Sequence, residues 1–500
     1  MNLTDPSSGA QQTASRQRGA TSSAPTPLGT QHSGLSTPSE LLVVGGTVVT
    51  LDSQRRIVRD GAVAVRDGRI VEVGKTAALV ARYPAAQRLD ATDQIVLPGF
   101  IDTHQHATQA LAKGIADDCT FWQWCYERIF PYDAALGEDD VYWGALLVGM
   151  ELVRSGITCF ADPGGPHPEA VARAVDEVGL RGVLSLHTWD RSPADLPVPD
   201  AVRSAGAEAA LAATRKLMDA WDGQANGRIR ISGAVRTLTN ASPDLLRGML
   251  RLARERDTIV QLHAAVNDDH NRWVQEETGL TPIHYLASLD ALADRWLFAH
   301  CARIDDEEVA LIARHGAKVA HCPGSSFHSA YGSVAHGKIP QLIAAGATVA
   351  LGCDAVASNN RIDMFQELFL VAGGQKDAHR VGTVFPAEQA LEMATLRGAE
   401  ALLAADQLGS LEPGKRADLV LVDARAPSLT PLHEFSLVPN LVYCASKHDV
   451  RTVVVDGRVI MRDRHFPHLD ATRVQREVQA AGARLIERLR LPVASRWRWE

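Results

Sequence analysis

Eight apolar stretches of strand character, separated from one another by helical patterns, constrain the fold of this chain more than any other feature. They lie at residues 95–103, 157–161, 182–186, 229–235, 258–262, 296–299, 317–320 and 348–353. Strands that alternate with helices favour a parallel sheet, because each helix returns the chain to begin the next strand in the same direction. Eight such units in succession predict an α/β fold of the (β/α)8 type, a TIM barrel.

A polar or ionisable residue follows each of the eight stretches. These residues are His104 and His106, Asp162, His187, Arg236, His263, His300, His321 and Asp354. The carboxyl ends of the strands form the catalytic face of such a barrel, so the side chains are expected to converge on one site. His104 and His106 are two residues apart and point the same way in a strand, as two imidazole ligands of one metal ion should.

The remaining segments predict a second, smaller domain and two terminal extensions. Residues 1–40 are rich in Ser, Thr, Gln, Gly and Pro, which predicts a disordered tail. Residues 41–93 and 405–465 contain short β-branched runs with turn signals, and we expect the two pieces to pair into one small β-sandwich. The barrel occupies residues 94–404, and residues 466–500 form a helical extension.

The bulk properties exclude several classes of protein. The net charge of −8 lacks the basic footprint of a nucleic-acid-binding protein, and no apolar run approaches the roughly 20 residues of a membrane span. The beginning of the chain has no signal-peptide layout. Seven cysteines without a CxxC pair indicate reduced thiols, so we expect a cytoplasmic protein that acts on a small molecule, with no membrane and no nucleic-acid partner.

Several motifs resemble the amidohydrolase superfamily, and within it the group of cytosine deaminases, atrazine-type chlorohydrolases and S-adenosylhomocysteine deaminases. They are PGFIDTHQH (98–106), LVRSGITCFAD (152–162), LHAAV (262–266), AHC (299–301), VAHCPGSS (319–326), LGCDAVASNNRIDM (351–364) and, in the second β-rich piece, GSLEPGKRADLVLVD (409–423). The resemblance spans about residues 41–465. It implies a TIM barrel with a β-sandwich built from both chain ends, and a homodimer or higher homo-oligomer.

The resemblance also implies the ligands of one divalent metal ion: His104, His106, His263 and Asp354. Three imidazoles and a carboxylate suit Zn²⁺ best, with Fe²⁺ or Mn²⁺ as alternatives. Asp354 would in addition act as general base towards a metal-bound water. His300 would be a catalytic residue that is not a ligand and that orients the hydroxide or polarises the substrate. The fourth strand ends without the lysine that two-metal relatives carry, which favours a single ion.

Further residues are candidates for contact with the substrate. By resemblance, His321 lies near the substrate, and a structural hydrogen bond is its alternative role. His187 and Arg236 follow strands and would bind an acceptor or an anion on the substrate, or else have structural roles. Trp122 and Trp124 belong to the aromatic run FWQWCY (121–126), which predicts either a lid over a flat ligand or a packed helix that anchors the lid.

The chain departs from the group at one position. Deaminases of this group read HxxE after the fifth strand, where the glutamate transfers protons, and here the run is HAAV with Val266 at that position. One residue of the following 267–270 could replace it, or these residues form a solvated loop.

The function predicted first is a metal-dependent aminohydrolase, which directs metal-bound hydroxide at the C–N bond of an amino-substituted heterocycle. The alternative is hydrolysis of an amide, urea or carbamate, and the absence of the glutamate favours this alternative. A non-catalytic scaffold is a third hypothesis, which the complete set of ligands disfavours.

Overall fold

The structure, a computed structural model, describes residues 40–490 and 497–498. The predicted tail therefore lies outside the described residues, except for Glu40, which begins the first strand. The strands are β1 (Glu40–Val49), β2 (Ile57–Arg66), β3 (Arg69–Lys75), β4 (Gln87–Asp90), β5 (Gln94–Pro98), β6 (Phe100–Asp102), β7 (Ile157–Ala161), β8 (Arg181–Leu184), β9 (Ile229–Ile231), β10 (Gly233–Thr237), β11 (Val260–Ala264), β12 (Trp296–His300), β13 (Lys318–His321), β14 (Val349–Leu351), β15 (Leu419–Asp423), β16 (Val450–Val455) and β17 (Arg458–Met461).

The helices lie mainly between the strands from β6 onwards. They are α1 (Thr76–Arg82), α2 (Phe130–Ala135), α3 (Glu138–Arg154), α4 (Pro168–Val178), α5 (Ala207–Trp221), α6 (Gln224–Gly227), α7 (Pro243–Glu255), α8 (Asp268–Thr278), α9 (Pro282–Ser288), α10 (Asp306–His315), α11 (Pro323–His328), α12 (Ser333–His336), α13 (Ile339–Ala344), α14 (Met364–His379), α15 (Ala387–Met393), α16 (Leu396–Ala401), α17 (Leu437–Tyr443) and α18 (Ala471–Leu489). Short 3-10 segments lie at Ala107–Ala112, Pro427–Leu429, Glu434–Ser436 and Lys447–Asp449, and a π-helical segment at Gln123–Ile129. Among the described helices, none is long and apolar enough to cross a membrane.

A mixed sheet joins the two β-rich pieces of the chain. Its order is β17-β16-β15-β5-β1-β2-β3, with β4 alongside β1. The antiparallel pairing of β5 with β15 places Val96 opposite Leu421, so residues from both chain ends share one sheet. Strand β1 continues through Gly45 and Gly46 with a shift of register opposite β2, as at a β-bulge.

The middle of the chain forms two parallel sheets, β6-β7-β8-β9 and β10-β11-β12-β13-β14. The strand predicted at 229–235 is two strands, since the backbone changes partner at Ser232. Ser232 N–H donates to the carbonyl of Leu184 (2.8 Å), and Gly233 N–H donates to that of Ile259 (3.0 Å). At the opposite edges, Thr103 N–H donates to the carbonyl of Leu351 (2.9 Å), so backbone hydrogen bonds connect the two sheets on both sides.

The strand predicted at 95–103 is likewise two strands, divided by Gly99. Its first half, β5, belongs to the mixed sheet, and its second half, β6, begins the parallel sheets. A Cβ atom on Gly99 would lie 2.1 Å from Thr158 Oγ1, which excludes any other residue type where the chain passes from one sheet to the other. A buried cluster also ties the sheets together: Arg181 of β8 forms ion pairs with Asp418 (3.0 Å) and Asp456 (2.5 Å).

Candidate active site

The two histidines of the HxH motif and Asp354 meet where β6 and β14 end. His104 N–H donates to the Asp102 carboxylate (3.1 Å), and so does Cys353 N–H (3.0 Å), so this buried carboxylate holds both strand ends. Asp354 N–H donates to the carbonyl of His104 (2.7 Å). The backbone register therefore places the Asp354 side chain beside the two imidazoles.

Donor groups of His104, His106, His263 and Asp354 lie close together: the three histidines form one group that could hold a metal ion, and His104 and Asp354 form a second with His300. His106 Nε2 is 3.2 Å from His263 Nε2, while Asp354 Oδ1 is 3.5 Å from His104 Nε2 and 3.9 Å from His106 Nε2. Ligands at about 2.1 Å from a tetrahedral ion are roughly 3.3 Å apart. The observed separations are close to that value. We call these four side chains the donor floor.

The orientation and protonation of the imidazoles also suit ligation. His263 Nδ1–H donates to the carbonyl of Arg236 (2.9 Å), which leaves the lone pair of Nε2 facing the other donors. His104 Nε2 is buried and has no hydrogen-bond partner among the described residues. Burial, assisted by the charge of Arg236, holds the pKa values of His106 and His263 well below their usual range, so both rings are neutral at pH 7, as metal ligands must be.

Asp354 and His300 form the second part of the site. Burial alone would raise the pKa of Asp354, but the imidazoles of His104, His300 and His106 together hold it well below its usual range. His300 Nε2 lies 3.8 Å from Asp354 Oδ2, and burial lowers the pKa of His300 to about 3. Both residues adopt left-handed backbone conformations, with φ of 78° and 61°, which side chains other than glycine rarely adopt and which cluster at functional sites.

A pocket opens above the donor floor and has an aromatic wall. Its lining residues are His106, Phe121, Trp124, Cys125, Phe130, Arg236, Thr237, His263, Val266, His270, His300, Tyr331 and Asp354. Trp124 Nε1–H donates to the carbonyl of Ala357 (3.2 Å), which fixes one indole edge. Phe121 stacks on Trp273 with ring centroids 5.4 Å apart, so the aromatic run is anchored on helix α8.

Arg236 brings a buried cation into this pocket. The residue is 3% exposed, and its Nη1 donates to His106 Nδ1 (3.0 Å). Among the described residues, no carboxylate oxygen lies within 4.0 Å of the guanidinium nitrogens. A buried cation without a carboxylate partner is costly, which suits a position that a ligand completes.

Three residues predicted to contact the substrate do not line the pocket. Trp122 is 40% exposed and packs against Tyr126, because the π-helical segment that follows turns Trp124 inwards and Trp122 outwards. His187 packs edge-on against Trp189 at 4.9 Å between ring centroids. His321 ends β13 with 0% exposure and with both ring nitrogens unpartnered among the described residues.

Tyr331 is a pocket residue that the sequence analysis missed. It is 4% exposed, and its ring lies edge-on to that of His300 with centroids 5.2 Å apart. Tyr331 follows helix α11 rather than a strand, so the pattern of polar residues after strands carries no signal for it. The aromatic character of the wall is therefore supplied from both sides of the pocket.

Residues 266–270, which follow β11, differ in whether their side chains face the pocket. Val266 is 3% exposed and packs with Ala302 and Tyr331 at the pocket wall. Asn267 caps helix α8 by accepting a hydrogen bond from His270 N–H (2.9 Å). Asp268 and Asp269 point outwards to surface arginines, whereas His270 points into the pocket. We call residues 266–270 the fifth-strand wall.

Parallel sheets whose strands end in a histidine and aspartate cluster define a metal-dependent hydrolase. The sequence matches the amidohydrolase family over residues 95–460, and residues 61–86 match an imidazolonepropionase-like composite domain of bacteria. The chain belongs to the amidohydrolase family and hydrolyses carbon–nitrogen bonds other than peptide bonds.

Relatives and solved structures agree with this assignment. The chain is 34% identical over 447 residues to a 5-methylthioadenosine/S-adenosylhomocysteine deaminase of Desulforamulus reducens, which covers 89% of this chain and 99% of the relative. A protein of the same name from Desulforudis audaxviator is 36% identical over 427 residues, or 85% of this chain and 95% of the relative. A crystal structure of a zinc-bound adenosine deaminase from Xanthomonas campestris superposes with a TM-score of 0.81 at 29% identity, covering 91% of this chain and 99% of that one.

A more distant structure supports the fold alone. An atrazine chlorohydrolase of Arthrobacter aurescens TC1, complexed with zinc, superposes with a TM-score of 0.79 at 23% identity and covers 88% of this chain and 100% of that one. The Xanthomonas structure carries zinc, in agreement with a histidine-rich candidate metal site in this chain.

Proposed function

We propose that this protein hydrolytically deaminates an amino-substituted purine, with a nucleoside as the favoured form of the substrate. The donor floor beneath an aromatic pocket carries the proposal, because it places hydrolytic chemistry under a surface suited to a flat heterocycle. The names of the 5-methylthioadenosine/S-adenosylhomocysteine deaminases and of the Xanthomonas adenosine deaminase support the choice of a purine.

The proposal includes the finer architecture. The two parallel sheets would form one eight-stranded barrel, in which β9 and β10 together count as the fourth strand. The change of partner at Ser232 and the hydrogen bond between Thr103 and Leu351 support closure at the two seams. The mixed sheet would fold over as a β-sandwich. The cytoplasmic location and the homo-oligomer stay predictions.

One divalent ion would be held by His104, His106, His263 and Asp354, with Zn²⁺ preferred and Fe²⁺ or Mn²⁺ as alternatives. Such an ion lowers the pKa of a bound water to about 7 and so supplies hydroxide at neutral pH. The neutral imidazoles and the ionised carboxylate of the donor floor fit that role.

The residues around the donor floor would complete the reaction. Asp354 accepts the proton of the attacking water, since its carboxylate is ionised at neutral pH and its Oδ2 lies 3.8 Å from His300 Nε2. His300, which is neutral at pH 7, hydrogen-bonds the attacking oxygen and orients it. Trp124 stacks against the ring, and Arg236 binds an acceptor or an anionic group of the substrate.

Val266 supports a second candidate, the hydrolysis of an amide or urea. An apolar residue replaces the carboxyl that protonates ring and leaving nitrogens in deaminases of this group, and the cleavage of an acyl C–N bond does not require protonation of a ring. The geometry of the donor floor is compatible with either substrate, so the two candidates differ in the wall and not in the metal ligands.

Hydrolysis in ¹⁸O-labelled water separates the two candidates. The purified enzyme is incubated with 5′-methylthioadenosine, adenosine, guanine, and a set of aryl amides and ureas, and the products are analysed by mass spectrometry. We expect labelled hydroxyl on an intact purine together with ammonia. Two fragments with the label in the acyl part would replace the first proposal by the second. Turnover by a protein freed of metal with a chelator would contradict both.

A further inference from the structure

The fifth-strand wall contains a buried imidazole that the mechanism above does not use. His270 is 2% exposed and lines the same pocket as His263, His300 and Asp354. Neither of its ring nitrogens has a hydrogen-bond partner among the described residues. An unpartnered buried polar group is costly unless a ligand or water satisfies it.

The local backbone explains why this residue and not its neighbours faces the pocket. Ala265 adopts a left-handed conformation (φ 49°), which turns the chain after β11, and Asn267 caps the following helix. In the first turn of that helix, Asp268 pairs with Arg303 (2.6 Å) and has a 78% exposed side chain. Asp269 pairs with Arg272 (2.7 Å) on the outer surface. In the first turn of α8, His270 is the residue that faces the pocket.

His270 lies close to where the missing carboxyl would act. Val266 and His270 both line the pocket, four residues apart, and the Val266 side chain packs against Tyr331. His300 lines the same pocket, and the charge that His270 would carry contributes to the low pKa of His300. Burial lowers the pKa of His270 itself to about 4, so the ring is neutral at pH 7, with one donor and one acceptor nitrogen.

We propose that His270 replaces the glutamate of the HxxE pattern as the proton carrier for the leaving nitrogen. This inference rests on the proposed hydrolysis of a C–N bond. When the water oxygen bonds to the ring carbon, one of its protons passes to Asp354 and the other passes to the acceptor nitrogen of His270. The ring delivers the proton of its other nitrogen to the departing amine as the C–N bond breaks. Ammonia leaves with the pair of the C–N bond, the imidazole ends neutral as the other tautomer, and Asp354 returns its proton to the adjacent ring nitrogen, so protons and electrons balance.

The first test replaces His270 by alanine and by glutamine, with 5′-methylthioadenosine and adenosine as substrates. Proton transfer by a positioned side chain contributes about 10²–10⁴-fold to rate. We expect kcat to fall at least about 100-fold in both variants, with KM within a few-fold of wild type. Glutamine can hydrogen-bond but cannot relay a proton, so a glutamine variant with near wild-type kcat overturns the proposal. Asp268→Asn, on the outer side of the same helical turn, is the matched control and should keep wild-type kcat.

The second test restores the missing group. Val266→Glu is combined with His270→Ala, and we expect the double variant to recover kcat at least about tenfold over His270→Ala alone. Metal content and the melting temperature of each variant are measured in parallel. A loss of metal in His270→Ala that matches its loss of kcat, or a double variant no faster than the single one, overturns the proposal.

The two proposals fail in different ways. A wild-type enzyme that cleaves a urea but deaminates no purine contradicts the proposed function. The same variants assayed on that urea then decide the role of His270 separately, because a departing amine needs a proton there too. Wild-type deamination of a purine with unchanged kcat in His270→Ala confirms the function and overturns the inference.

Discussion

The donor floor and the fifth-strand wall border the same pocket but are positioned by different physical means. Residues of the donor floor lie at strand ends, and backbone hydrogen bonds between strands, such as that from Asp354 N–H to the carbonyl of His104, fix their positions. In the fifth-strand wall, the direction of His270 depends on one left-handed residue and one helix cap. The position of a donor-floor side chain follows from its place at the end of a strand. The direction of the His270 side chain depends instead on where helix α8 begins.

The same contrast separates the chemistry of the two regions. The donor floor is a cluster of charged and neutral donor atoms. Removing one side chain leaves fewer donors than the metal ion needs. The fifth-strand wall combines apolar contact, from Val266 against Tyr331, with one unpartnered imidazole. We therefore expect changes in the donor floor to abolish activity together with metal, and changes at Val266 and His270, the pocket-facing residues of the wall, to alter turnover while metal stays bound.

The largest effect is expected for His263→Ala. Loss of one of four ligands should remove the metal and lower kcat/KM by at least about 10³-fold, since a bound ion contributes several kcal/mol of transition-state stabilisation. Metal content by elemental mass spectrometry and circular dichroism check the result, and the fold should survive because the donor floor caps finished strands. His284→Ala, which removes a half-buried imidazole beside Glu307, is the control. Full activity in a metal-free His263→Ala protein would contradict the site.

Arg236→Met is expected to lower activity less than His263→Ala does, because Arg236 lies between the two regions. Its guanidinium borders the donor floor, yet it lines the pocket and has no carboxylate partner. A hydrogen bond to a charged group is worth about 1.5–3 kcal/mol, so we expect KM to rise about 10- to 100-fold with a smaller change in kcat.

Steady-state kinetics and metal content measured together test this expectation. Arg247→Met, an exposed arginine that donates to the carbonyl of Leu289, is the matched control. A fall in kcat with unchanged KM, or loss of metal, would show that Arg236 supports His106 and does not bind the substrate.

The contrast also shows what the sequence could and could not predict. The strands of the parallel sheets and the grouping of His104, His263 and Asp354 were predictable, because apolar runs and the residues after them define the face on which side chains meet. The division of the predicted first strand at Gly99 was not, because the crowding against Thr158 that requires a glycine there arises from residues far apart in sequence.

Side chains placed by helices and loops escaped prediction for a related reason. Trp122 and Trp124 are equally aromatic, and only the π-helical segment decides that Trp124 faces the pocket. Tyr331 follows no strand. His321 follows one, yet it is fully buried and is not among the residues that line the pocket. The position of a residue after a strand predicts the floor of the site better than its walls.

Asp133→Asn should have the smallest effect on catalysis and a measurable effect on stability. Asp133 is 1% exposed in helix α2, and neither carboxylate oxygen has a hydrogen-bond partner among the described residues. Burial raises its pKa from 3.8 to about 7, although the charge of Arg236 opposes the shift. Because the folded-state pKa exceeds the unfolded-state value, the native protein binds more protons than the unfolded chain between these two pH values. The free energy of unfolding therefore falls as pH rises through that window.

Asparagine cannot ionise, so the free energy of unfolding of the variant should not fall for this reason as pH rises through this window. We expect kcat/KM to stay within about threefold of wild type, and the melting temperature of Asp133→Asn to rise relative to wild type by about 2 °C or more from pH 4 to pH 8. Thermal unfolding at both pH values, with the exposed Asp219→Asn as control, checks the expectation. A large loss of activity would instead place Asp133 in the machinery of the pocket through Arg236. In that case a buried polar group that does not line the pocket would affect turnover as strongly as the fifth-strand wall does.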